Sequence, residues 1–165
     1  MEEVAPSPGE VLLRDVLEDD LPTFYAQQLD PAANTMAAFT AKNPSDSATF
    51  STHWAKLLAD EAITIKTILY GADVAGHIAC HAWFGDPEVT YWIGKEFWGL
   101  GIATAALSQF LATLKVRPLY ARAAKDNIAS IRVLEKCGFV VSGHDKGFAN
   151  ARGEEIDELI LQLEL

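Results

Sequence analysis

The chain has 165 residues, half of which are hydrophobic, and its formal net charge is −10 at pH 7. This length and apolar content are typical of one globular domain and exclude a disordered chain, and no apolar run approaches the roughly 18 residues of a membrane span. The acidic balance argues against nucleic acid as a partner, because that binding needs clustered Lys and Arg. It suits a cationic partner better, although on its own an acidic balance more simply keeps a protein in solution.

The N-terminus is acidic and contains proline, and it lacks the basic and apolar regions of a signal peptide. The two cysteines, Cys80 and Cys137, provide neither a disulfide framework nor the spacing of metal ligands. We therefore expect a single cytoplasmic domain over residues 1–165, with residues 1–10 as a loose tail, no membrane association and no metal site.

The first half of the chain predicts helices followed by a β-hairpin. The predicted elements are a strand at Val11–Val16, a helix from about Pro22 to Leu29, a helix at Ala48–Asp60, and strands at Ile63–Leu69 and Val74–Trp83. Between the helices, Asp30–Ser47 is rich in turn-forming residues and is predicted to be irregular, with one short helical piece at Thr35–Thr40. His77 and His81 are four residues apart, but on a strand this spacing separates them by about 13 Å, so we expect no metal site there.

The second half predicts strands that alternate with helices. The predicted elements are a strand at Val89–Ile93, a loop at Gly94–Gly101, a helix from about Gly101 to Leu114, a strand at Leu119–Ala123, a helix from Asn127 to Cys137, a strand beginning at Phe139–Val141, a polar loop at Gly143–Gly153 and a strand at Ile156–Leu163. The resulting order, β-α-α-β-β-β-α-β-α-β-β, indicates a mixed α/β domain. The final strand could pair with its copy across a two-fold axis in a homodimer, and the sequence leaves this open.

A glycine-punctuated loop joins the strand at Val89–Ile93 to the next helix. Gly99 and Gly101 bracket Leu100, and the small residue Ala103 follows. Small residues let a ligand approach the backbone closely, and the unpaired amides of a first helical turn carry a partial positive charge. The loop is therefore a candidate phosphate-binding site, although a lone GxG is more often only a tight turn.

Two neighbouring motifs raise the phosphate interpretation above the tight turn. They are Trp98–Thr104 (WGLGIAT) and, one strand later, Asn127–Phe139 (NIASIRVLEKCGF). Together with the element order, they resemble the GNAT superfamily of acyl-CoA-dependent N-acyltransferases, and more narrowly its branch of ribosomal-protein N-terminal acetyltransferases. The resemblance extends from about Val11 to the end of the chain, and it implies a GNAT-like fold and acetyl-CoA as the co-substrate.

The family's loop pattern is Gln/Arg-x-x-Gly-x-Gly/Ala, which the sequence matches at Gly101 and Ala103 but not at Trp98. The departure at Trp98 removes one polar contact of the loop but leaves the backbone amides, which do most of the phosphate binding in this family. The cofactor-binding residues that the resemblance implies are Trp98, Gly99, Leu100, Gly101, Ile102, Ala103 and Thr104 for the pyrophosphate, Tyr91, Trp92 and Ile93 for the pantetheine arm, and Asn127 and Ser130 at the thiol end.

Acyl transfer to an amine needs a base, an oxyanion stabiliser and an acid for the departing thiolate. Glu88 lies where family members often place a carboxylate base, and a solvated turn residue after Pro87 is the equally simple alternative. Leu134 occupies the family's usual tyrosine acid position, so the resemblance implies Ser130 instead, whose alternative is a plain hydroxyl packed near the helix start. A backbone N–H within Tyr91–Ile93 is the implied oxyanion donor.

The favoured function is transfer of an acetyl group from acetyl-CoA to a primary amine by direct attack in a ternary complex. The acidic balance suggests a cationic acceptor, such as a peptide N-terminus, a polyamine or an aminoglycoside, in contact with Asp30–Trp54 and Gly143–Gly153. A catalytically weak acyl-CoA-binding interaction domain remains the alternative. A dinucleotide oxidoreductase is disfavoured because Thr104 replaces the third glycine of GxGxxG, and no GxSxG motif supports a hydrolase.

Overall fold

The structure is a computed structural model that describes residues 9–82 and 85–164. Its strands are β1 (Val11–Asp15), β2 (Thr64–Tyr70), β3 (Asp73–His81), β4 (Glu88–Ile93), β5 (Leu119–Ala124), β6 (Val140–Ala149) and β7 (Glu154–Leu163). Its helices are α1 (Leu21–Gln28), α2 (Pro31–Ala37), α3 (Ser47–Ala59), α4 (Ile102–Thr113) and α5 (Ile128–Lys136). Single 3-10 turns, Glu18–Asp20 and Lys95–Phe97, lie before α1 and between β4 and α4.

The strands form one sheet in the order β1-β2-β3-β4-β5-β7-β6. Neighbouring strands are antiparallel except β4 and β5, which are parallel. The mixed α/β fold expected from the sequence is therefore confirmed. Over the described ranges, no helix combines the length and the apolar character that crossing a membrane would take.

Helices cover both faces of the sheet. On one face, Ile102 of α4 and Leu134 of α5 pack with Ile78 of β3 in the main core. On the other face, Phe24 of α1 packs with the side chains of α3, and its ring lies 4.8 Å from that of His77. His77 and Ile78 are consecutive in β3 and so point to opposite faces. The central strands therefore run between two helical layers, α4 and α5 on one side and α1 and α3 on the other.

The prediction of a polar loop at Gly143–Gly153 is wrong. β6 occupies Val140–Ala149 and pairs with β7 along its length. The sequence lacked a strand pattern because two inward positions of this edge strand are glycines. A Cβ added at Gly147 would lie 3.2 Å from Phe39, and one added at Gly143 would lie 3.8 Å from Ile160. Close packing thus replaces the apolar side chains by which a strand is normally recognised.

The short helical piece predicted at Thr35–Thr40 is also misplaced, because the structure has a helix at Pro31–Ala37. Asp30 caps that helix by accepting a hydrogen bond from the Ala33 amide at 2.8 Å, and Pro31 fills the first helical position. Asp-Pro is a typical helix start, and it was interpreted as part of an irregular segment. The other predicted elements lie within two residues of their observed bounds, except at Trp83, which is outside the described residues.

The final strand has no free edge for a two-fold pairing. β7 pairs with β5 on one side and with β6 on the other. This arrangement excludes the pairing of Ile156–Leu163 across a two-fold axis, which the sequence left open, and a homodimer through another surface stays a prediction. β6 and β1 form the two edges of the sheet.

A buried carboxylate joins β1, β2 and the first 3-10 turn. Asp20 is only 3% exposed and accepts hydrogen bonds from Arg14 at 2.7 and 2.8 Å, from the Leu17 amide at 2.9 Å and from Thr67 Oγ1 at 2.7 Å. Burial alone would raise the pKa of Asp20, but the hydrogen bonds and the Arg14 charge outweigh burial and lower it. The charged form of Asp20 is therefore part of the folded state.

We expect the Thr67→Val variant to lose about 1.5–3 kcal/mol of unfolding free energy at pH 7, because a buried charged acceptor loses a donor. Denaturant unfolding measures this loss, with Thr64→Val as the control, since Thr64 is exposed on the same strand. That control should change by no more than about 0.5 kcal/mol. Because the pKa of Asp20 is lowered on folding, the loss should shrink as the pH falls below the unfolded value of about 3.9. Equal losses in both variants would contradict this assignment.

Candidate active site

The two parallel strands at the centre of the sheet begin together and then separate. Among the described residues, Glu88 and Tyr120 form the one register pair between β4 and β5, and the Tyr120 amide donates to the Pro87 carbonyl at 2.9 Å. Beyond this pair, β4 remains paired with β3 on one side, but its β5 side faces an opening. Each strand then leads to the N-terminus of a helix, α4 or α5. An opening at the carboxyl ends of parallel strands is a common ligand-binding position in α/β proteins.

The glycine loop lies at the outer end of this opening. Gly99 and Gly101 have φ angles of +78° and +76°, and Gly101 is the N-cap of α4. A Cβ added at either position would meet no heavy atom within 4 Å. The amides of the first turn of α4 lack acceptors within the helix. The loop therefore leaves free space in front of a partially positive helix end, as a bound pyrophosphate requires.

Trp98 has a different role from the polar residue of the family pattern. Its indole Nε1 donates a hydrogen bond to the Ile93 carbonyl at 2.9 Å. Trp98 is 41% exposed, and the neighbouring Leu100 is 53% exposed. Trp98 thus holds the end of β4 to the glycine loop and presents an aromatic surface instead of a polar group.

Tyr91 and Ser130 meet across the opening. The hydroxyl of Tyr91, on β4, lies 2.8 Å from Ser130 Oγ, in the first turn of α5. Burial raises the pKa of Tyr91 to about 12, with the Ser130 hydrogen bond acting in the opposite direction. Leu134, at the family's tyrosine position, is 1% exposed in the main core and offers no polar group. The phenol next to Ser130 therefore comes from the strand and not from the helix.

Both polar atoms of the Asn127 side-chain amide form hydrogen bonds within the protein. Its Oδ1 accepts a hydrogen bond from the Ser130 amide at 3.3 Å and so caps α5. Its Nδ2 donates to the Met36 carbonyl at 3.3 Å. Asn127 therefore fixes the start of α5, where Ser130 lies, and ties it to the end of α2.

Strand alternation places the two predicted catalytic residues on opposite faces of the sheet. Glu88 and Tyr91 are three residues apart in β4, so their side chains point in opposite directions. Tyr91 packs against the main core beneath α4 and α5, and it bonds Ser130 there. Glu88 instead faces the side that carries α1 and α3. The opening between β4 and β5 connects the two faces.

Glu88 belongs to a charged cluster on its own face. Its Oε2 lies 3.8 Å from Arg122 Nε, and Arg122 Nη1 bonds Glu158 at 2.9 Å and Asp145 at 3.1 Å. Burial raises the pKa of Glu88, Arg122 lowers it and Glu158 raises it further, and the net direction is upward. Glu88 and Arg122, together with Asp86, line a cavity of about 320 Å³. A carboxylate with a raised pKa beside a cavity suits a general base that works near neutral pH.

Sequence reasoning missed the neighbours of Glu88. His81 of β3 lies directly opposite Glu88 in the register, and burial lowers the pKa of this half-buried imidazole. Arg122 and Glu158 come from β5 and β7, far along the chain. Pairing β3 with β4 in the sequence would have identified His81 as a neighbour of Glu88. Only the complete sheet, in contrast, brings Arg122 and Glu158 together. No group of three or more His, Cys, Asp or Glu side chains in residues 9–82 and 85–164 is arranged to hold a metal ion.

Comparison with known families and proteins identifies relatives of this chain. A family model described as an acetyltransferase (GNAT) domain matches residues 10–140. A Bacillus subtilis protein named "Putative ribosomal N-acetyltransferase YdaF" is 32% identical over 116 residues, which span 64% of this chain and 63% of that protein. The match therefore covers less than two thirds of the relative's length.

Solved structures resemble the fold over nearly the whole chain. A ribosomal-protein-alanine N-acetyltransferase from Brucella melitensis has a TM-score of 0.77 at 21% identity, covering 93% of this chain and 99% of its own. A spermidine N-acetyltransferase from Vibrio cholerae, in complex with CoA and spermine, has a TM-score of 0.72 at 19% identity, covering 92% and 95%. At these identities, the similarity establishes the fold.

Proposed function

Because the chain belongs to the GNAT acetyltransferase family, we propose that it transfers the acetyl group of acetyl-CoA to a primary amine. The observation that carries this proposal is the opening between β4 and β5, which has the glycine loop at one end and Glu88 at the other. A donor and an acceptor that enter such an opening from opposite faces can react directly in a ternary complex. We also propose that the protein is cytoplasmic and needs no metal for this reaction.

The donor side uses the backbone more than side chains. The amides of Gly99–Thr104 bind the pyrophosphate, helped by the free space at Gly99 and Gly101. The β5-facing edge of β4 at Tyr91–Ile93, where the Ile93 carbonyl already accepts from Trp98, hydrogen-bonds the pantetheine arm in the manner of an added strand. Ser130 faces the sulfur from α5. When bound, acetyl-CoA supplies the activated acyl group, and the rest of the chemistry falls to residues of this chain.

Glu88 takes the proton that the attacking amine must lose. Its raised pKa makes it a stronger base than an ordinary carboxylate, and the Arg122 charge 3.8 Å away favours its ionised form. A backbone N–H of Tyr91–Ile93 donates to the carbonyl oxygen as negative charge develops there. The protonated base and the departing thiolate then lie on opposite faces of the sheet, which separates the two proton-handling sites.

The acceptor is a cationic amine. The cavity beside Glu88 is also lined by Asp86, and Arg122 in its wall is paired with three carboxylates, those of Glu88, Asp145 and Glu158. Such a site attracts an ammonium group and disfavours acidic acceptors. Two structurally similar proteins are named for a ribosomal-protein alanine and for spermidine as their acceptors, and both names support a cationic amine here. The competing proposal, a catalytically weak acyl-CoA-binding domain, shares the donor site and lacks only turnover.

A thermal melt followed by an acetylation assay tests the proposal. Acetyl-CoA at 100-fold its dissociation constant should add about 2.7 kcal/mol of stability and raise the midpoint by roughly 5–10 °C. NADH is the control and should give no shift. An amine panel should then include an alanine-initiated peptide, spermidine and an aminoglycoside. A shift without acetylation of any amine would favour the interaction domain, and a shift with NADH alone would overturn the family-based proposal.

A further inference from the structure

We propose that Tyr91 positions the Ser130 hydroxyl so that its proton points into the opening between β4 and β5 and hydrogen-bonds the sulfur of coenzyme A. Tyr91 then acts through Ser130 and is a positioning residue, whereas Ser130 touches the leaving group. This inference rests on the proposed function and assigns the tyrosine side chain a task beyond the cofactor contact of its backbone.

The position of the pair supports this role. Tyr91 lies three residues beyond Glu88, the point at which β4 and β5 separate, and its side chain reaches α5 instead of β5. The hydrogen bond of 2.8 Å between Tyr91 and Ser130 therefore crosses the opening between the glycine loop and Glu88. Ser130 cannot shift freely, because its amide is bound to Asn127 Oδ1 at 3.3 Å. The pair lines the route that a pantetheine arm must follow between the glycine loop and Glu88.

The count of protons decides the direction of the hydrogen bond. Two hydroxyls share two protons, and each oxygen can also accept. If Ser130 donated to Tyr91, the Tyr91 proton would be left with the Ser130 carbonyl at 3.5 Å, at the outer limit for an O–H···O bond. If Tyr91 donates to Ser130 Oγ, its proton has a good acceptor at 2.8 Å. The second arrangement leaves the Ser130 proton available to a ligand in the opening.

A developing thiolate is the ligand that this proton suits. The Ser130 hydroxyl lies in the first turn of α5, where the helix end carries partial positive charge. As the amine nitrogen bonds to the acyl carbon, the carbon–sulfur bond breaks, its electron pair stays on sulfur, and the amine proton passes to Glu88. Ser130 stabilises the new negative charge through its hydrogen bond. Tyr91 keeps its proton throughout, because its pKa is about 12.

Binding of coenzyme A and of desulfo-coenzyme A, which lacks the sulfur, separates this role from simple packing. For the wild-type protein, we expect the affinity for coenzyme A relative to desulfo-coenzyme A to rise as the thiol ionises with increasing pH. Tyr91→Phe should reduce that preference roughly tenfold at the high-pH limit, the typical size of a hydrogen bond to a charged group, and leave desulfo-coenzyme A binding unchanged. Tyr70→Phe is the matched control, since Tyr70 of β2 packs on Phe97 and not on Ser130. This variant should retain the wild-type preference for coenzyme A over desulfo-coenzyme A.

Steady-state kinetics give a second readout. Tyr91→Phe should lower kcat roughly tenfold without raising the KM for acetyl-CoA, and Ser130→Ala should lower it at least as much. Because Tyr91 acts through Ser130, the double variant should be no slower than Ser130→Ala alone. Additive losses, or an equal loss of coenzyme A and desulfo-coenzyme A binding in Tyr91→Phe, would overturn the inference. Failure of the wild-type protein to bind either compound would instead overturn the proposed function.

Discussion

Replacement of Gly101 by valine is expected to weaken acetyl-CoA binding by roughly 100-fold or more, which is about 2.7 kcal/mol, while the fold remains intact. Gly101 caps α4 with a φ of +76°, and an added Cβ would meet no protein atom within 4 Å. The valine side chain therefore has room within the protein. It would occupy the space in front of the α4 amides, where we place the pyrophosphate.

Backbone strain alone could also disturb the loop, and a matched glycine controls for it. Gly153, in the turn between β6 and β7, has a φ of +67° and no heavy atom within 4 Å of an added Cβ. Valine at either position should cost about 1–2 kcal/mol of stability, because L residues are strained at positive φ. Calorimetric titration with acetyl-CoA should find the Gly153→Val variant close to wild type. If Gly101→Val bound acetyl-CoA normally, the glycine loop would not be the pyrophosphate site.

The donor half of the candidate site could be predicted from the sequence because its signals are local. Gly99 and Gly101 adopt the positive φ angles for which glycine is suited, and Asn127 caps α5 within three residues of Ser130. Gly138 ends that helix with a φ of +97°. Such signals depend only on neighbouring residues, so a single sequence contains them in full.

The acceptor half depends on residues that only the completed sheet brings together. Arg122 of β5 meets Glu158 because β7 inserts between β5 and β6, and Asp145 comes from the strand that was predicted as a loop. The inward glycines of β6 removed the apolar alternation that would have revealed the strand. His81 was considered only as a metal ligand, because its partner Glu88 follows from the strand register and not from spacing. Long-range pairing, and not residue type, was the missing information.

Replacement of Glu88 by glutamine is expected to lower the rate of acetyl transfer by roughly 100-fold at neutral pH and to leave the affinity for acetyl-CoA unchanged. Glu88 lies on the face opposite Ser130 and away from the glycine loop, so the donor site should not respond. Burial raises the pKa of Glu88, and the wild-type rate should therefore fall as the pH drops through that raised value. In Glu88→Gln this fall should disappear, because no carboxylate remains at that position to be protonated.

With a peptide N-terminus as acceptor, the rate of Glu88→Gln should approach the wild-type rate as the pH rises through about 7.7–8.0, because the α-amine then loses its proton without help. Asp86→Asn is the matched control, because it removes a carboxylate from the same cavity at an exposed position and should keep the wild-type pH profile. His81 is the competing base, since it faces Glu88 across β3 and β4. If Glu88→Gln kept the acid limb of the profile and His81→Asn lost it, the base would be the imidazole, and Glu88 would serve as its partner.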